Sequence, residues 1–216
     1  LTEILTSIIH EKKLPLEFES EPSITFQKII DGCIAYTLLY KAQEIQEVLE
    51  VSVQDFGQFV FLKEIIQPLL YKVGDLWANG SLRVSHEHFI ASVIKNVLNG
   101  LITANKVVSD AKSIILATTS GELHEMGCLM GGVIASSFGL RTVYLGTSLP
   151  AEEIIFSSWK NKAIIVFLGV VYPIHKNETA SIIKKIQHYT DHECKIVVAG
   201  NKETLTHFKA LEKIEG

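Results

Sequence analysis

The residues with the clearest chemical potential form a short segment in the middle of the chain. Residues 119–127 read TSGELHEMG and contain Glu122, His124 and Gly127. A neutral imidazole binds metals well through one ring nitrogen. A carboxylate that accepts a hydrogen bond from the other ring nitrogen fixes the tautomer and makes the imidazole more basic. The spacing therefore allows Glu122 to accept a hydrogen bond from the ring nitrogen of His124 that is not used for ligation. A surface histidine near a helix N-terminus that binds nothing is the alternative at this point.

The neighbouring sequence predicts where this histidine lies. Apolar residues 113–118 predict a buried strand before the segment, and residues 125–138 predict a helix after it. Ligands of open parallel sheets bind beyond the carboxyl ends of the strands, so we expect His124 to project into a crevice there. Gly127 is expected to let the loop turn tightly into the helix, and Gly131 to help form a shallow groove beside the sheet.

Strand and helix patterns alternate through the rest of this half of the chain. Further strands are predicted at 142–146, 163–171 and 195–200, and further helices at 150–159, 177–189 and 202–211. Such alternation predicts a parallel sheet that is covered by helices on both faces, as in a flavodoxin-like or Rossmann-like domain over residues 106–216. A five-stranded version of that domain needs one more strand after Gly216.

Small residues follow two of the predicted strands. They come after the second strand and after the fourth, and they are Gly146, Thr147, Ser148 and Gly200. Since the carboxyl ends of parallel strands lie at one edge of a sheet, these residues predict a deep slot for a long, flat ligand.

The first half of the chain reads as helices. Apolar spacing predicts helices at 23–39, 41–53, 56–77 and 86–103. Pro68 is expected to kink or split the third of these, and Ser85 to cap the fourth. The fold class predicted for the whole chain is α followed by α/β: a helical bundle over residues 1–105 and then the parallel-sheet domain.

Composition and charge limit the classes of partner that this chain can bind directly. The chain carries a net charge of −4, its first 105 residues are acidic and the remainder is nearly neutral, so neither half resembles a basic DNA-binding module. The three cysteines are scattered, which favours a reducing compartment, and no apolar run has the length of a membrane helix. We therefore expect a cytoplasmic protein without membrane contact. Because residue 1 is Leu, we expect a fragment, in which any DNA contact comes from an upstream domain outside this chain.

The segment Glu122-x-His124-x-x-Gly127 resembles the Asp-x-His-x-x-Gly signature of base-off, His-on cobalamin domains, as in cobalamin-dependent methionine synthase and mutases. The resemblance implies that cobalamin binds between the bundle and the α/β domain. It also implies that His124 replaces dimethylbenzimidazole as the lower cobalt ligand, while the nucleotide tail enters the slot. The sequence departs from the family pattern in two ways. Glu122 stands where most members have Asp, and residues 166–173 have no match for the family's Ser-x-Leu.

A second motif lies in the helical half. Trp77 is followed after nine residues by Glu87-His88. This spacing, like the Glu122 variant, resembles light-responsive, adenosylcobalamin-dependent regulators of the MerR type. The resemblance implies that Trp77 packs over the upper 5′-deoxyadenosyl group, with Glu87 hydrogen-bonding near it. Light breaks the cobalt–carbon bond in that family, and His88 would then become a second cobalt ligand. It further implies a homo-oligomer, a dimer or tetramer, that contacts DNA through an N-terminal winged-helix domain and dissociates in light.

Three functions remain open from the sequence. The leading hypothesis is a cobalamin-dependent, light-sensing module of a transcriptional regulator, which exchanges cobalt ligands and is not an enzyme. The second is a corrinoid carrier domain of a methyltransferase or mutase, which should leave the upper cobalt face open to a substrate domain. The third is a degenerate scaffold or antirepressor that binds no cofactor. Trp77 is also compatible with an ordinary place in a helical core.

Overall fold

The computed structural model describes residues 23–171, 176–201 and 204–206. These residues form two compact units, with the boundary between Leu101 and Ile102. The sequence-predicted domains, 1–105 and 106–216, extend beyond the described residues at both ends. The predicted helix over 202–211 is described only at residues 204–206, which are helical. No helix among the described ranges is long and apolar enough to cross a membrane.

The first unit is helical, as predicted. Its elements are α1 (Ser23–Leu38), α2 (Ala42–Val60), a π-helical segment (Phe61–Ile66), α3 (Gln67–Ala78) and α4 (Val84–Ala104), whose last turn crosses the boundary. Apolar side chains at helical spacing form its core, including Ile45, Leu49, Phe61, Ile65, Leu69 and Ile94, all fully buried. Burial of this apolar face supplies most of the stability of such helices.

The long apolar stretch from α2 to α3 is interrupted twice. Gly57 has φ 74° and ψ 161°, which breaks the helical geometry inside α2. Pro68 lies in the first turn of α3. Because proline has no N–H, the carbonyl of Glu64 lacks its ordinary helical donor, and the π-helical segment immediately precedes this point. The interruption at Pro68 was predicted from the sequence, whereas the π-helical geometry was not.

The start of α4 differs from the prediction. The helix begins at Val84, so Ser85 lies inside the first turn and is not its N-cap. The Arg83 N–H instead donates to Nδ1 of His86 at 3.3 Å, which satisfies a backbone donor at the helix start. The Ser85 hydroxyl is hydrogen-bonded at 2.7 Å to the hydroxyl of Tyr40.

The second unit contains a parallel sheet of four strands in the order β2-β1-β3-β4. The strands are β1 (Ser113–Thr119), β2 (Arg141–Leu149), β3 (Ala163–Gly169) and β4 (Lys195–Ala199). The helices between them are α5 (Met126–Ser137), α6 (Ala151–Lys160) and α7 (Lys176–Tyr189). Every residue of β1 is buried, as expected for the interior of a parallel sheet covered on both faces. The predicted α/β class is confirmed.

The small residues of α5 allow this helix to pack closely on the sheet. A Cβ atom at Gly131 would lie 3.0 Å from Cζ of Phe167, and one at Gly132 would lie 2.7 Å from Cδ1 of Leu116. The sequence predicts Gly131 beside an open ligand groove, but the structure places it, buried, in the helix–sheet contact. Interiors are packed to crystal density, so a glycine here reflects the lack of room for a side chain.

Candidate functional site

The loop between β1 and α5 is fixed to the end of β2. The Ser148 N–H donates to Oγ1 of Thr118 at 2.9 Å and to the carbonyl oxygen of Glu122 at 3.2 Å. Thr118 Oγ1 in turn donates to the same Glu122 carbonyl at 2.5 Å. The Gly121 N–H donates to the Ser148 hydroxyl at 3.0 Å. Hydrogen bonds of this kind hold the backbone around Glu122 in one conformation.

The Glu122 side chain is the centre of the site. It is 2 % exposed, and Oε1 accepts from the His124 backbone N–H at 2.9 Å and contacts Nδ1 of the same residue at 2.6 Å. Oε2 accepts from the Val171 N–H at 2.7 Å. A buried carboxylate is tolerated when such partners replace its water. The hydrogen bond predicted between Glu122 and the His124 ring is confirmed, while the bond to Val171 was not predicted.

His124 is presented to the surface by this arrangement. Its side chain is 56 % exposed, although its partner carboxylate is buried. Glu122 favours the tautomer whose proton is on Nδ1, because that proton points at a carboxylate oxygen. Nε2 is then the nitrogen that carries the electron pair for coordination. The geometry suits an imidazole that binds a metal through Nε2.

The end of β2 has unusual backbone geometry. Gly146 has φ 100° and Ser148 has φ 57°, and the register between β1 and β2 shifts at Leu116 and Ala117. A residue other than glycine in this left-handed region is strained by about 1–3 kcal/mol, and such strain is concentrated at functional sites. Of the predicted slot residues, Thr147 is half-buried here. Ser148 holds the His124 loop through both its N–H and its hydroxyl.

Gly127 and Gly200, both predicted site residues, differ in how much room their surroundings leave for a side chain. Gly127 lies in the first turn of α5 without a positive φ, and a Cβ there would meet no atom within 4 Å. The tight turn predicted for it is therefore wrong, since the left-handed glycine of the loop is Gly121, with φ 83°. Gly200 is sterically required, because a Cβ at this position would lie 2.0 Å from the carbonyl oxygen of Val170.

The polar groups near the loop bear on the fit of a metal cofactor. Thr119, at the end of β1, is buried, and its hydroxyl has no partner among the described residues. A polar group of a ligand would satisfy this hydroxyl. Burial raises the pKa of the Cys128 thiol to about 12, and the thiol donates to the carbonyl oxygen of Ala117 at 3.3 Å. One imidazole fits a metal whose remaining ligands come from an organic ring, as in a corrin.

Within residues 23–171, 176–201 and 204–206, no group of three or more His, Cys, Asp or Glu side chains is arranged to hold an ion.

The helical unit holds the second predicted motif at the connection between α3 and α4. Trp77 lies at the end of α3 and is 51 % exposed, so it is not a core residue. Glu87 and His88 lie in the first turn of α4, where Oε2 of Glu87 is 3.4 Å from Nε2 of His88. The turn between the helices contains Gly80, with φ 79°. The structure thus brings Glu87 and His88 into contact. The Trp77 ring, at the end of the preceding helix, is exposed to solvent.

Replacement of Glu122 by Gln tests the hydrogen-bond centre. One carboxylate oxygen would become an amide NH₂, which donates and does not accept. The side chain could then no longer accept from both the His124 ring and the Val171 N–H. We expect Glu122→Gln to lower the free energy of unfolding by about 1–3 kcal/mol. We also expect it to weaken cobalamin binding about 10–100-fold. Urea denaturation and a spectral titration measure the two effects. Glu178→Gln, at an exposed site on α7, is the matched control, and equal behaviour of the two variants would contradict the assignment.

Comparison with known proteins agrees with the cofactor class. Residues 33–102 match the family described as a B12 binding domain, so this part of the chain is similar to a cobalamin-binding domain. A stretch of 124 residues is 28 % identical to the HTH-type transcriptional repressor CarH of Myxococcus xanthus. That stretch covers 57 % of this chain and 41 % of the relative, so the chain spans less than half the length of the curated protein that it matches.

A solved structure has a similar fold. The monomethylamine corrinoid protein of Methanosarcina barkeri superposes with a TM-score of 0.66 at 13 % sequence identity. The match covers 84 % of this chain and 90 % of that protein. At this identity the likeness concerns the fold, a helical part joined to a parallel-sheet domain.

Proposed function

We propose that this chain is the cobalamin-binding sensory module of a MerR-type transcriptional regulator that responds to light, and that it is not an enzyme. Its natural cofactor would be adenosylcobalamin. In this proposal the chain acts in the cytoplasm as part of a homo-oligomer and reaches DNA through an upstream domain. The resemblance of 124 residues to a transcriptional repressor supports a regulatory role.

The observation that carries the proposal is the Glu122–His124 pair. A buried carboxylate 2.6 Å from Nδ1 of an exposed histidine is the arrangement that prepares Nε2 for a metal. His124 would hold cobalt from the lower face. The cofactor tail would pass near the buried Thr119 hydroxyl, the end of β2 and Gly200.

Trp77, Glu87 and His88 distinguish a sensor from a carrier. An exposed tryptophan offers a large apolar face that is suited to cover an apolar ligand. When bound, adenosylcobalamin supplies a cobalt–carbon bond that light can break. Trp77 would cover the adenosyl group, and Glu87 would accept a hydrogen bond from it. His88, 76 % exposed beside Glu87, would become the upper protein ligand after illumination.

Spectroscopy before and after illumination tests the proposal. The chain is mixed with adenosylcobalamin in darkness, desalted, and its absorption spectrum is recorded before and after green light. We expect a coloured complex with His-on ligation in darkness and a second, stable His-ligated spectrum after light. A complex whose absorption spectrum and size do not change on illumination would favour a carrier domain instead. Colourless protein after desalting would refute cobalamin binding.

His88→Ala tests the proposed upper cobalt ligand separately from the lower ligand, His124. Because His88 is proposed to bind cobalt only after illumination, we expect the dark affinity to change less than about twofold. The illuminated complex should lose its second-histidine spectrum and release the cofactor at least about tenfold faster. Dialysis after illumination measures the loss, with exposed His192→Ala as the control. An unchanged illuminated spectrum would show that His88 is not the upper ligand.

A further inference from the structure

The outer face of α6 is unusual for a helix that covers a sheet. Its inner face packs on the core through Ala151, Ile154, Ile155 and Ser158. The outer face carries Phe156, which is 60 % exposed, and Trp159, which is 57 % exposed. Since solvent-facing helix surfaces are ordinarily polar, two adjacent exposed aromatic side chains mark a surface that gains stability when covered.

The neighbouring helix shows that the fold does not require this surface. On α7 the solvent-facing positions are mainly polar, including Asn177, Glu178, Ser181, Lys184, Lys185 and Gln187. An ion pair between Lys185 and Glu152 joins α7 to α6. On α7 the exposed aromatic rings, His188 and Tyr189, lie in the last turn, whereas α6 carries Phe156 among the charged residues of its outer face.

The charges along the exposed stripe of α6 are ordered. Glu152 and Glu153 stand in the first turn, and Lys160 is the last residue of the helix. Glu152 and Lys160 are each four residues from Phe156, or about 6 Å along the helix axis in opposite directions. An antiparallel copy of the same helix, centred on Phe156, would therefore bring each lysine level with a glutamate of the other copy.

We propose that α6 is a two-fold contact between copies of this chain. Phe156 lies on the axis against the partner's Phe156. Lys160 pairs with the partner's Glu152, whose carboxylate has a second oxygen beside the one that contacts Lys185. Trp159 faces the partner's Glu153, whose carboxylate accepts a hydrogen bond from the indole N–H. Both copies use the same patch, so the contact closes at a dimer and does not propagate into filaments.

Other partners fit this surface less well. The two glutamates beside the aromatic rings disfavour nucleic acid and anionic lipid, because both carry negative charge. A helix of ten residues is about 15 Å long. It covers less than the roughly 800 Å² per partner of a standard interface. We therefore expect a weak, concentration-dependent dimer that forms without any cofactor.

Disulfide trapping tests the two-fold axis. A cysteine at position 156 meets its own copy across the axis, so Phe156→Cys treated with diamide as oxidant should form covalent dimers at least about tenfold faster than Tyr189→Cys. Tyr189 is comparably exposed, on α7. The three natural cysteines are buried, and burial raises their pKa to about 12, 12 and 11, so their background reaction is slow. Equal trapping rates of the two variants would overturn the proposal.

Charge reversal tests the pairing without a new cysteine. Sedimentation equilibrium of the chain free of cobalamin should show a dimer whose dissociation constant rises at least about fivefold in Lys160→Glu. Both variants are made together with Lys185→Gln, because Lys185 pairs with Glu152 of its own chain and would repel a lysine there. The dissociation constant should fall again in the double variant Lys160→Glu with Glu152→Lys, because opposite charges then face each other. A chain that stays monomeric at 0.5 mM, or a double variant as weak as the single one, would refute the contact. Neither result bears on cofactor binding, because no cofactor is present.

Discussion

Substitution of His124 by Ala is expected to abolish the His-on spectrum of bound cobalamin and to weaken its binding by more than about 100-fold. The loss of a hydrogen-bond partner of a metal ligand typically costs 10–100-fold in affinity, and loss of the ligand itself should cost more. The fold should survive, because the backbone N–H at position 124 still donates to Glu122 and the side chain is mostly exposed. Absorption spectra at saturating cofactor, together with a titration, measure both effects.

The control for this variant is another exposed histidine of the same unit. His188→Ala removes an imidazole that packs edge-to-face against Tyr189 on α7, so this variant should bind adenosylcobalamin like the unaltered chain. Added imidazole should partly restore the His-on spectrum to His124→Ala and leave His188→Ala unchanged. Retention of the His-on spectrum in His124→Ala without added imidazole would mean that another residue is the lower ligand.

The second large effect concerns stability. We expect Gly200→Ala to lower the free energy of unfolding by about 3 kcal/mol, the upper part of the range for overpacked sites. The added Cβ would lie 2.0 Å from the Val170 carbonyl oxygen. That oxygen is backbone, held in place because the Val170 N–H donates to the Ala199 carbonyl at 2.8 Å. The clash can therefore be relieved only if the backbone segments that follow β3 and β4 move apart.

Gly127→Ala is the matched control for this substitution. Its Cβ would meet no atom within 4 Å, and alanine is favoured over glycine in a helix by about 1 kcal/mol. We expect this variant to be as stable as the unaltered chain, or slightly more stable, in urea denaturation followed by circular dichroism. A Gly200→Ala variant that unfolds at the same urea concentration as Gly127→Ala would show that the contact at Val170 can relax.

The parts of the site that were predicted correctly are local in sequence. The contact of Glu122 with the His124 ring follows from a spacing of two residues in a loop. The alternation of strands and helices predicted the α/β class because apolar runs and turn residues are read over short windows. The break near Pro68 was also predictable, because proline lacks the N–H that a helix interior needs.

The parts that were missed depend on residues distant in sequence. The partner of Glu122 Oε2 is the N–H of Val171, 49 residues later, and a backbone donor leaves no trace in residue type. Gly131 was placed beside a groove because small residues fit both an open slot and tight packing, and only the position of Phe167 decides between them. The role of Ser148 depends on a φ of 57°, which the sequence around it does not reveal.

The bond between Glu122 and the Val171 amide has a consequence for substitution tolerance. A side-chain donor at the end of β3 would restrict that position to a few hydroxyl or amide residues, whereas a main-chain donor accepts any amino acid that possesses an N–H. Proline is the one type that position 171 must reject. Position 171 can therefore change to almost any other residue without loss of the anchor for the carboxylate.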